Sequence, residues 1–418
     1  MPLLSRRAVT RVPAILAAVV GATMLLPLVA APASAVPPGA ATQLRWTSVP
    51  VASPPAGLAA SLFSTGNISC VSQSDCVVAG YLENLEKVPS VYHATIWRWD
   101  GSRWAFQAPG VAASAALVGT ACPTAHDCWA VGAEFVGPDL ASPRALVEHS
   151  TGSSWSSATV PDPGGVGLNG VACVSASDCV AVGNRQTSAT SAQAAAYRWD
   201  GASWSSVAVP DPPGSRWAVL DSVNCPGAGT CLALGAADNS AKGSGYFFAE
   251  HLSGGHWAVS LLPDRLQFNM GNQTGLFGLS CPTAHNCLAV GSALGYTHGA
   301  AGADFAAGVA ETWAGAGWKA VNVPATPQGG SYVLGDGSCL TAADCWVALS
   351  YPAIFGLAHP VPVAHWDGSK FAVTTLKPKG YLSALSCLPA GQGTWCVGLG
   401  ESAVGTNSTG LLGGYFRA

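Results

Sequence analysis

Charged residues are scarce in this sequence. Lys, Arg, Asp and Glu together make up 10% of its 418 residues, against about 25% in an average globular protein. The surface must therefore consist largely of Ser, Thr, Gly, Ala and backbone atoms. The net charge is −4, and the chain offers no basic patch to neutralise phosphates, which argues against nucleic acid as a partner.

Long apolar runs are also lacking beyond the first 35 residues, so no membrane span is predicted in the rest of the chain. Residues 1–35 have the pattern of a signal peptide. They combine a basic start, an apolar stretch over 15–31 and the small-residue cleavage signal Ala33-Ser34-Ala35. A transmembrane anchor is the weaker interpretation, because Pro13 and Pro27 interrupt the apolar stretch.

Cleavage near Ala35 would leave a short linker over 36–42 and a single domain over 43–418. We therefore expect a secreted, extracellular protein that is monomeric. The dipeptide Arg6-Arg7 leaves open whether export follows the general secretory or the twin-arginine route.

Known catalytic motifs are missing as well. The sequence has no G-x-S-x-G elbow, no H-E-x-x-H zinc motif and no phosphate-binding glycine loop. His149, His251 and His365 occupy equivalent positions in separate repeats, so they are not expected to converge on one metal. The sequence therefore assigns no catalytic residue, metal or cofactor.

Cysteine, by contrast, is abundant and regular. The 14 cysteines form seven pairs, six with five intervening residues and the last with eight, and the pairs recur about every 50 residues. Zinc sites need four clustered ligands, usually with two to four residues between paired cysteines. Disulfides are therefore favoured, each closing a local hairpin in a chain bound for an oxidising compartment. The predicted pairs are Cys70–Cys76, Cys122–Cys128, Cys173–Cys179, Cys225–Cys231, Cys281–Cys287, Cys339–Cys345 and Cys387–Cys396.

Each repeat contains four strand-like segments separated by turn signals, which indicates an all-β fold. In the third repeat the second segment runs from Cys179 to Gly183, and the fourth runs from Trp204 to Pro210. Asp200-Gly201 supplies the turn before that fourth segment, because a type I′ hairpin turn needs residues that tolerate positive φ.

The ends of the domain are out of phase with the repeat. Residues 44–50 match a fourth strand, whereas 414–418 match a third. We therefore expect the N-terminal strand to complete the last repeat and close a ring, which would leave no open strand edge.

Seven repeats of four strands, about 50 residues each, resemble the β-propeller superfamily over the whole domain. The repeat length is similar to that of kelch propellers, but the kelch glycine pair is absent, and Asp100-Gly101 is unlike the Asp-box of sialidases. The chain most resembles secreted bacterial propellers that carry a cysteine pair, Ala-Val-Gly and Trp-Asp-Gly-x-x-Trp in each repeat. The resemblance implies a seven-bladed β-propeller with four-stranded antiparallel blades.

An acidic residue precedes the second cysteine in four repeats, at Asp75, Asp127, Asp178 and Asp344. Calcium needs six or more oxygen ligands, and each repeat offers only one such carboxylate. We expect these residues to cap their turns by bonding to nearby backbone.

Tryptophan opens the fourth strand in most repeats, which invites either a sugar-binding or a packing interpretation. Its recurrence favours packing between blades, since large aromatic side chains dominate such cores. These residues are Trp104, Trp155, Trp204, Trp257 and Trp318.

Loop lengths indicate a working face. The turns on one face are short and uniform, whereas the opposite face carries variable connections such as 82–94, 134–144 and 293–307. Function usually resides on variable loops held by a rigid scaffold, although tolerated insertions are an equally good explanation. The candidate ligand-binding residues lie on two blade-to-blade connections of this face: Arg216, Trp217, Asp264, Arg265 and Asn272.

Two functional classes remain. The first is an extracellular binding or scaffold module for glycan, cell-envelope polymer or protein. The alternative is a secreted polysaccharide hydrolase or lyase with its site at the channel mouth. The scarcity of charge favours binding, since an enzyme would bring acidic or basic residues with perturbed pKa values from several blades to the channel mouth.

Overall fold

The computed structural model describes the following residues: 44–52, 62–84, 91–111, 114–136, 142–152, 154–161, 164–188, 190–239, 244–263, 275–295, 305–327, 330–351, 359–391, 393–403 and 409–418. The predicted signal peptide and linker lie outside them. Within these ranges there is no helix with the length and apolar character that crossing a membrane requires.

The chain forms seven four-stranded antiparallel sheets. The inner strands are β2 (Leu62–Ser72), β6 (Ala115–Thr124), β10 (Val166–Ser175), β14 (Ala218–Gly227), β18 (Gly275–Thr283), β22 (Val333–Thr341) and β26 (Tyr381–Ala390). The second strands are β3 (Asp75–Asn84), β7 (Asp127–Val136), β11 (Asp178–Ser188), β15 (Thr230–Asn239), β19 (Asn286–Gly295), β23 (Asp344–Ser350) and β27 (Gly393–Ala403).

The outer half of each sheet completes the blades. The third strands are β4 (Val91–Trp99), β8 (Ser142–Ser150), β12 (Ser191–Trp199), β16 (Ser244–Ser253), β20 (Phe305–Trp313), β24 (Pro360–Trp366) and β28 (Thr409–Arg417). The outermost strands are β5 (Trp104–Gln107), β9 (Trp155–Ser157), β13 (Trp204–Val207), β17 (His256–Leu261), β21 (Trp318–Ala320), β25 (Phe371–Lys379) and β1 (Thr47–Ser48).

Neighbouring inner strands contact one another around a closed ring, with β26 returning to β2. The protein is a seven-bladed β-propeller, as the repeat pattern predicted. Blades 1 to 6 each use four consecutive strands starting at β2, and blade 7 combines β26, β27 and β28 with β1. We call the face with the cysteine hairpins the turn face, and the opposite face the loop face.

The predicted ring closure is confirmed. Thr47 pairs with Tyr415 and Ser48 with Gly414, so β1 is the outer strand of blade 7. The segment then continues to blade 1, where the Trp104 N–H donates to the Pro50 carbonyl at 2.9 Å. One N-terminal segment therefore joins the two blades at the seam of the ring.

All seven predicted disulfides are present, and each lies within one blade. Each joins the end of an inner strand to the start of the second strand, as in the directly paired Cys173 and Cys179. No cysteine is free in the described part of the chain. Seven such bonds indicate an oxidising, extracellular environment.

The second strands are longer than predicted, because the glycine of the Ala-Val-Gly phrase does not end them. β11 continues past Gly183 to Ser188. In β10, a bulge between Leu168 and Gly170 brings the backbone close to this glycine, and a Cβ at 183 would overlap the Gly167 carbonyl oxygen. The glycine therefore provides close strand approach, and the connections between second and third strands are shorter than the sequence indicated.

The turn-face acids do not act as predicted. The Asp75 carboxylate forms an ion pair with Arg98 of the third strand at 2.7 Å, and Asp127 bonds to His149 at 2.8 Å. The turns are instead capped by Ser or Thr, as where the Ser177 N–H donates to Ser175 Oγ. The expectation of capping by these aspartates is therefore wrong, because their side chains reach the neighbouring strand.

The tryptophans pack between blades, as expected. Trp204 is 4% exposed, and its ring centroid lies 5.2 Å from that of Trp129 in the preceding blade. Trp155 is also buried and donates through Nε1 to Gln107 of the preceding blade at 2.9 Å. Their recurrence therefore reflects the packing of one blade on the next.

Candidate functional site

The inner strands of all seven blades surround a central channel of about 960 Å³. Disulfide cysteines line its turn-face end, among them Cys173 and Cys225. Side chains from second strands, including Tyr81 and Glu401, join the lining toward the loop face. This volume lies within the usual range of ligand pockets.

A β-bulge in every inner strand interrupts its pairing with the second strand. A bulge adds an unpaired residue and re-aims side chains. The bulge region lies three to four residues before the first cysteine of each blade. In the channel lining it contributes Gly66, Asn67, Val118, Asn169, Asp221, Phe277, Gly335, Asp336 and Ser383.

Two bulge residues are carboxylic acids that face the channel. Asp336 Oδ1 accepts a hydrogen bond from the Gly337 N–H at 2.8 Å, and Oδ2 accepts one from the Leu385 N–H of the next blade at 3.4 Å. Burial deep in the ring raises the pKa of Asp336 to about 7, although these backbone donors oppose the shift.

Asp221 is the second acid, in blade 4. Burial raises the pKa of Asp221 to about 7 as well, although a hydrogen bond from the Leu276 backbone partly lowers it. Its Oδ2 atom is buried and has no hydrogen-bond partner in the described structure. A Cβ added to Gly275 would contact both this oxygen and the Phe277 ring, so the carboxyl lies beside that ring.

Phe277 is an exposed aromatic residue inside the channel. Its exposed fraction is 46%, although it belongs to an inner strand, where large apolar side chains are normally buried. Its strand, β18, lies between the strands that carry Asp221 and Asp336. One arc of the channel wall therefore has an aromatic ring with a carboxyl group on each side.

A tyrosine and a glutamate form a cross-strand pair near the loop-face mouth. Tyr381 is paired with Glu401 in the sheet of blade 7, and both line the channel. Burial raises the pKa of Tyr381, and the charge of Glu401 and the hydrogen bond between the two side chains raise it further. The tyrosine hydroxyl is therefore held as a donor to the carboxylate.

Side-chain amides occupy related positions in other blades. Asn67 Nδ2 donates to the Thr120 carbonyl at 2.9 Å, and the Thr120 N–H donates to Asn67 Oδ1 at 2.8 Å. Asn169 Nδ2 donates to the Leu220 carbonyl at 2.9 Å. These amides connect neighbouring blades, whereas Asp221 and Asp336 leave part of the same wall acidic.

The described lining of the channel contains Asp and Glu but no Lys, Arg or His. Its hydrogen-bonding groups are hydroxyls, amides, carboxyls and backbone atoms. Such a surface can accept hydrogen bonds from hydroxyl or amine groups and can stack an aromatic face on a ring. It offers no counter-charge to an anion.

The loop-face residues predicted from the sequence are only partly within the described structure. The backbone N–H groups of Arg216 and Trp217 both donate to Asp238 Oδ1 at 2.7 Å. Arg216 is exposed and its Nε lies 3.8 Å from Asp238 Oδ2, while Trp217 is half-buried. Neither belongs to the channel lining.

The other predicted ligand-binding residues, Asp264, Arg265 and Asn272, lie outside the described residues. Their association with Arg216 and Trp217 stays a prediction.

Sequence reasoning missed the channel residues because they lie in strands that read as apolar. The repeats nevertheless contain a signal. When the seven segments are aligned on their first cysteine, Asp221 and Phe277 fall at the fourth residue before it, and Asp336 at the third. Other blades have Gly, Ala, Val, Asn or Ser at these positions, so the acids and the phenylalanine depart from the repeat.

No known family model matches this chain, and no curated protein matches its sequence. Among solved structures, the chain is similar to YCF48 bound to a D1 peptide, with a TM-score of 0.47, 14% identity, and coverage of 90% of this chain and 99% of the other. It is also similar to the GH74 xyloglucanase from Xanthomonas campestris, with a TM-score of 0.47, 13% identity, and coverage of 85% and 53%. For the Penicillium chrysogenum α-L-arabinanase complexed with arabinobiose, the TM-score is 0.47, the identity 9%, and the coverage 88% and 98%.

Proposed function

We propose that the protein is a secreted, extracellular carbohydrate-binding module whose ligand enters the central channel from the loop face. The observation that carries this proposal is Phe277, an aromatic side chain 46% exposed inside a channel lined by hydrogen-bonding groups. Disulfides in every blade and the predicted signal peptide support an extracellular setting.

The chemistry of the wall favours a sugar ring over other small ligands. Aromatic rings present a flat apolar face that can pack against the C–H face of a pyranose. Asn, Ser, Thr and Asp side chains of the lining can bond to the hydroxyl groups around the ring edge. Binding pockets typically combine an apolar contact surface with a few polar groups that fix the orientation of the ligand.

A hydrolase or lyase is the second candidate function, and one specific observation favours it. Carboxyl groups from different blades face one channel, and the pKa values of Asp221 and Asp336 are raised to about 7, as suits an acid catalyst. However, both carboxyls accept hydrogen bonds from the backbone of the following blade, and blades 1 and 3 place asparagines at the corresponding positions. This structural role favours binding.

The test uses the mature wild-type protein and a panel of neutral, basic and acidic hexasaccharides in titration calorimetry. We expect measurable affinity for at least one hexasaccharide and a loss of about tenfold or more in Phe277→Ala. Leu261→Ala is the matched control, because Leu261 is equally apolar and 58% exposed but lies on an outer strand. Equal losses in both variants, or no binding to any hexasaccharide, would contradict the proposal.

The same samples distinguish binding from hydrolysis. Prolonged incubation followed by chromatography of the sugars should return the hexasaccharides intact. Release of shorter products that is abolished in both Asp221→Asn and Asp336→Asn would establish the enzymatic alternative instead.

A further inference from the structure

We propose that the channel selects a glycan with free amino groups over neutral and acidic glycans. This inference rests on the proposed function, since it names the charge class of the carbohydrate that the same site would bind.

The first argument is an imbalance of charge. Asp221, Asp336 and Glu401 face the channel from blades 4, 6 and 7. The described lining supplies no Lys, Arg or His to compensate them. Within a protein-walled channel, a charge is screened less than on an open surface. An acidic glycan would therefore be repelled, and an ammonium group would be attracted.

The second argument is the arrangement around Phe277. Its exposed ring can hold a cation against the aromatic face. The Asp221 carboxyl and the ring both lie next to Gly275, and one carboxyl oxygen is buried without a hydrogen-bond partner in the described structure. An ammonium group on the ring would therefore gain both an aromatic face and an adjacent carboxylate.

Buried acids of the described structure differ in this respect: Glu250, outside the channel, also lacks partners, whereas Glu148 does not. Glu148 is fully buried, yet its Oε2 accepts from the Gly110 N–H at 2.6 Å and its Oε1 from the Ser157 hydroxyl at 2.6 Å. Glu401 is bonded to Tyr381. Among the described acids of the channel, Asp221 is the one with an unsatisfied oxygen.

A neutral glycan would bring no positive charge to the carboxyl groups of the channel. Because burial raises the pKa of Asp221 and of Asp336 to about 7, each carboxyl is about half ionised near pH 7. A cation in the channel would stabilise their ionised forms, so binding should release protons. A neutral sugar would not stabilise the ionised carboxyls, so it should bind without releasing protons.

The test compares hexamers of β-1,4-linked glucosamine and of N-acetylglucosamine, which share a backbone and differ in the amine. At pH 6.5 and low salt we expect the glucosamine hexamer to bind wild-type protein at least tenfold more tightly. The preference should decline in 0.5 M NaCl, because salt screens charge attraction. An equal affinity for both hexamers, or tighter binding of the acetylated one, would overturn the inference while leaving the carbohydrate-binding proposal intact.

Asp221→Asn is the decisive variant. It preserves shape, and blade 3 already places Asn169 at the corresponding position, so folding should be retained and is checked by circular dichroism. We expect it to lose most of the preference for glucosamine, because its affinity for the glucosamine hexamer should fall much further than its affinity for the acetylated hexamer. An unchanged preference in a folded Asp221→Asn protein would show that this carboxyl does not select the ligand.

A pentalysine peptide provides the last comparison. Pentalysine should compete poorly, because it lacks the rings that stack on Phe277. If it competes as well as the glucosamine hexamer, the channel recognises cationic peptides and the inference is wrong. If no hexamer binds at all, the proposed function itself fails.

Discussion

Asp336 of blade 6 occupies the position that Asn67 occupies in blade 1. Asn67 Oδ1 accepts from the Thr120 N–H at 2.8 Å, and Asp336 Oδ2 accepts from the equivalent Leu385 N–H at 3.4 Å. The asparagine also donates to the Thr120 carbonyl, which an ionised aspartate cannot do. The carboxyl thus fills an amide position, and burial favours its neutral form.

We expect Asp336→Asn to raise stability at pH 8 and to leave it nearly unchanged at pH 4. The native carboxyl has a pKa of about 7 instead of 3.8, so the folded protein binds an extra proton between these values. Wild-type stability must therefore fall as the pH rises from about 4 to about 7. The amide has no such dependence, and the variant should melt about 2–5 °C higher at pH 8. Parallel melting curves for the two proteins from pH 4 to pH 8 would contradict this account.

Glu250→Gln should also stabilise the protein at high pH. Glu250 is fully buried and neither carboxyl oxygen has a hydrogen-bond partner in the described structure. Burial and then the nearby charge of Asp211 raise its pKa to about 8. The wild-type protein should therefore lose stability as the pH rises from about 4.5 to about 8. The variant should lose less stability over the same range, and thermal melts of both proteins at pH 5 and pH 8.5 measure the difference.

Glu148→Gln is the matched control for that experiment. Glu148 occupies the same place in blade 2, but accepts two hydrogen bonds. Glutamine can keep its amide oxygen on the Gly110 N–H and donate its NH₂ group to the Ser157 hydroxyl, but both hydrogen bonds weaken because the charged acceptor is lost, at a cost of about 1 kcal/mol. Glu148→Gln should therefore destabilise at both pH values. Similar behaviour of the two glutamine variants would show that hydrogen bonding does not distinguish these sites.

Gly183→Ala should be strongly destabilising, because the added Cβ would overlap the Gly167 carbonyl oxygen of the paired strand. We expect a loss of about 3 kcal/mol in the free energy of unfolding, measured by denaturant titration. Gly227→Ala is the control, since no atom lies within 4 Å of a Cβ at that position. A tolerated Gly183→Ala would mean that the Ala-Val-Gly glycine does not serve close strand approach.

Deleting residues 43–50 should open the ring. This segment contains β1, and the Pro50 carbonyl accepts from Trp104 of blade 1. The deletion would expose the β28 edge, and an unpaired edge promotes association. We expect oligomers in size-exclusion chromatography and a melting temperature lower by about 5 °C or more. A monomer that melts like the complete domain would contradict the role of this segment.

Trp217→Ala tests the loop-face prediction made from the sequence. Trp217 immediately precedes β14, the strand that carries Asp221, so a glycan leaving the channel mouth could extend over it. We expect a loss of about threefold to tenfold in affinity for a hexasaccharide, and little change for a disaccharide. Ser175→Ala and Thr283→Ala on the turn face should leave both affinities intact. If only the turn-face changes reduce binding, the opposite face is the working one.

The repeat pattern was sufficient to predict the blades, the local disulfides and the closure of the ring. These features follow from local chemistry: Cys173 and Cys179 must meet across a short hairpin, and an alternation of turn signals and strand segments has few other solutions. The packing role of the tryptophans was likewise predictable, because tryptophan recurs at the same position in most repeats. Trp204, for example, contacts Trp129 of the preceding blade.

Tertiary structure decided what the departures from the repeat mean. In the sequence, Asp221, Phe277 and Asp336 are isolated residues from three repeats. The bulges turn them toward one channel, and only the closed ring places them on the same arc of its wall. Whether a carboxyl is solvated or buried, and whether an oxygen finds a donor, depends on atoms contributed by the next blade. The periodic pattern of one repeat therefore specified the scaffold, whereas the chemistry of the channel arose from non-repeating residues that the ring brings together.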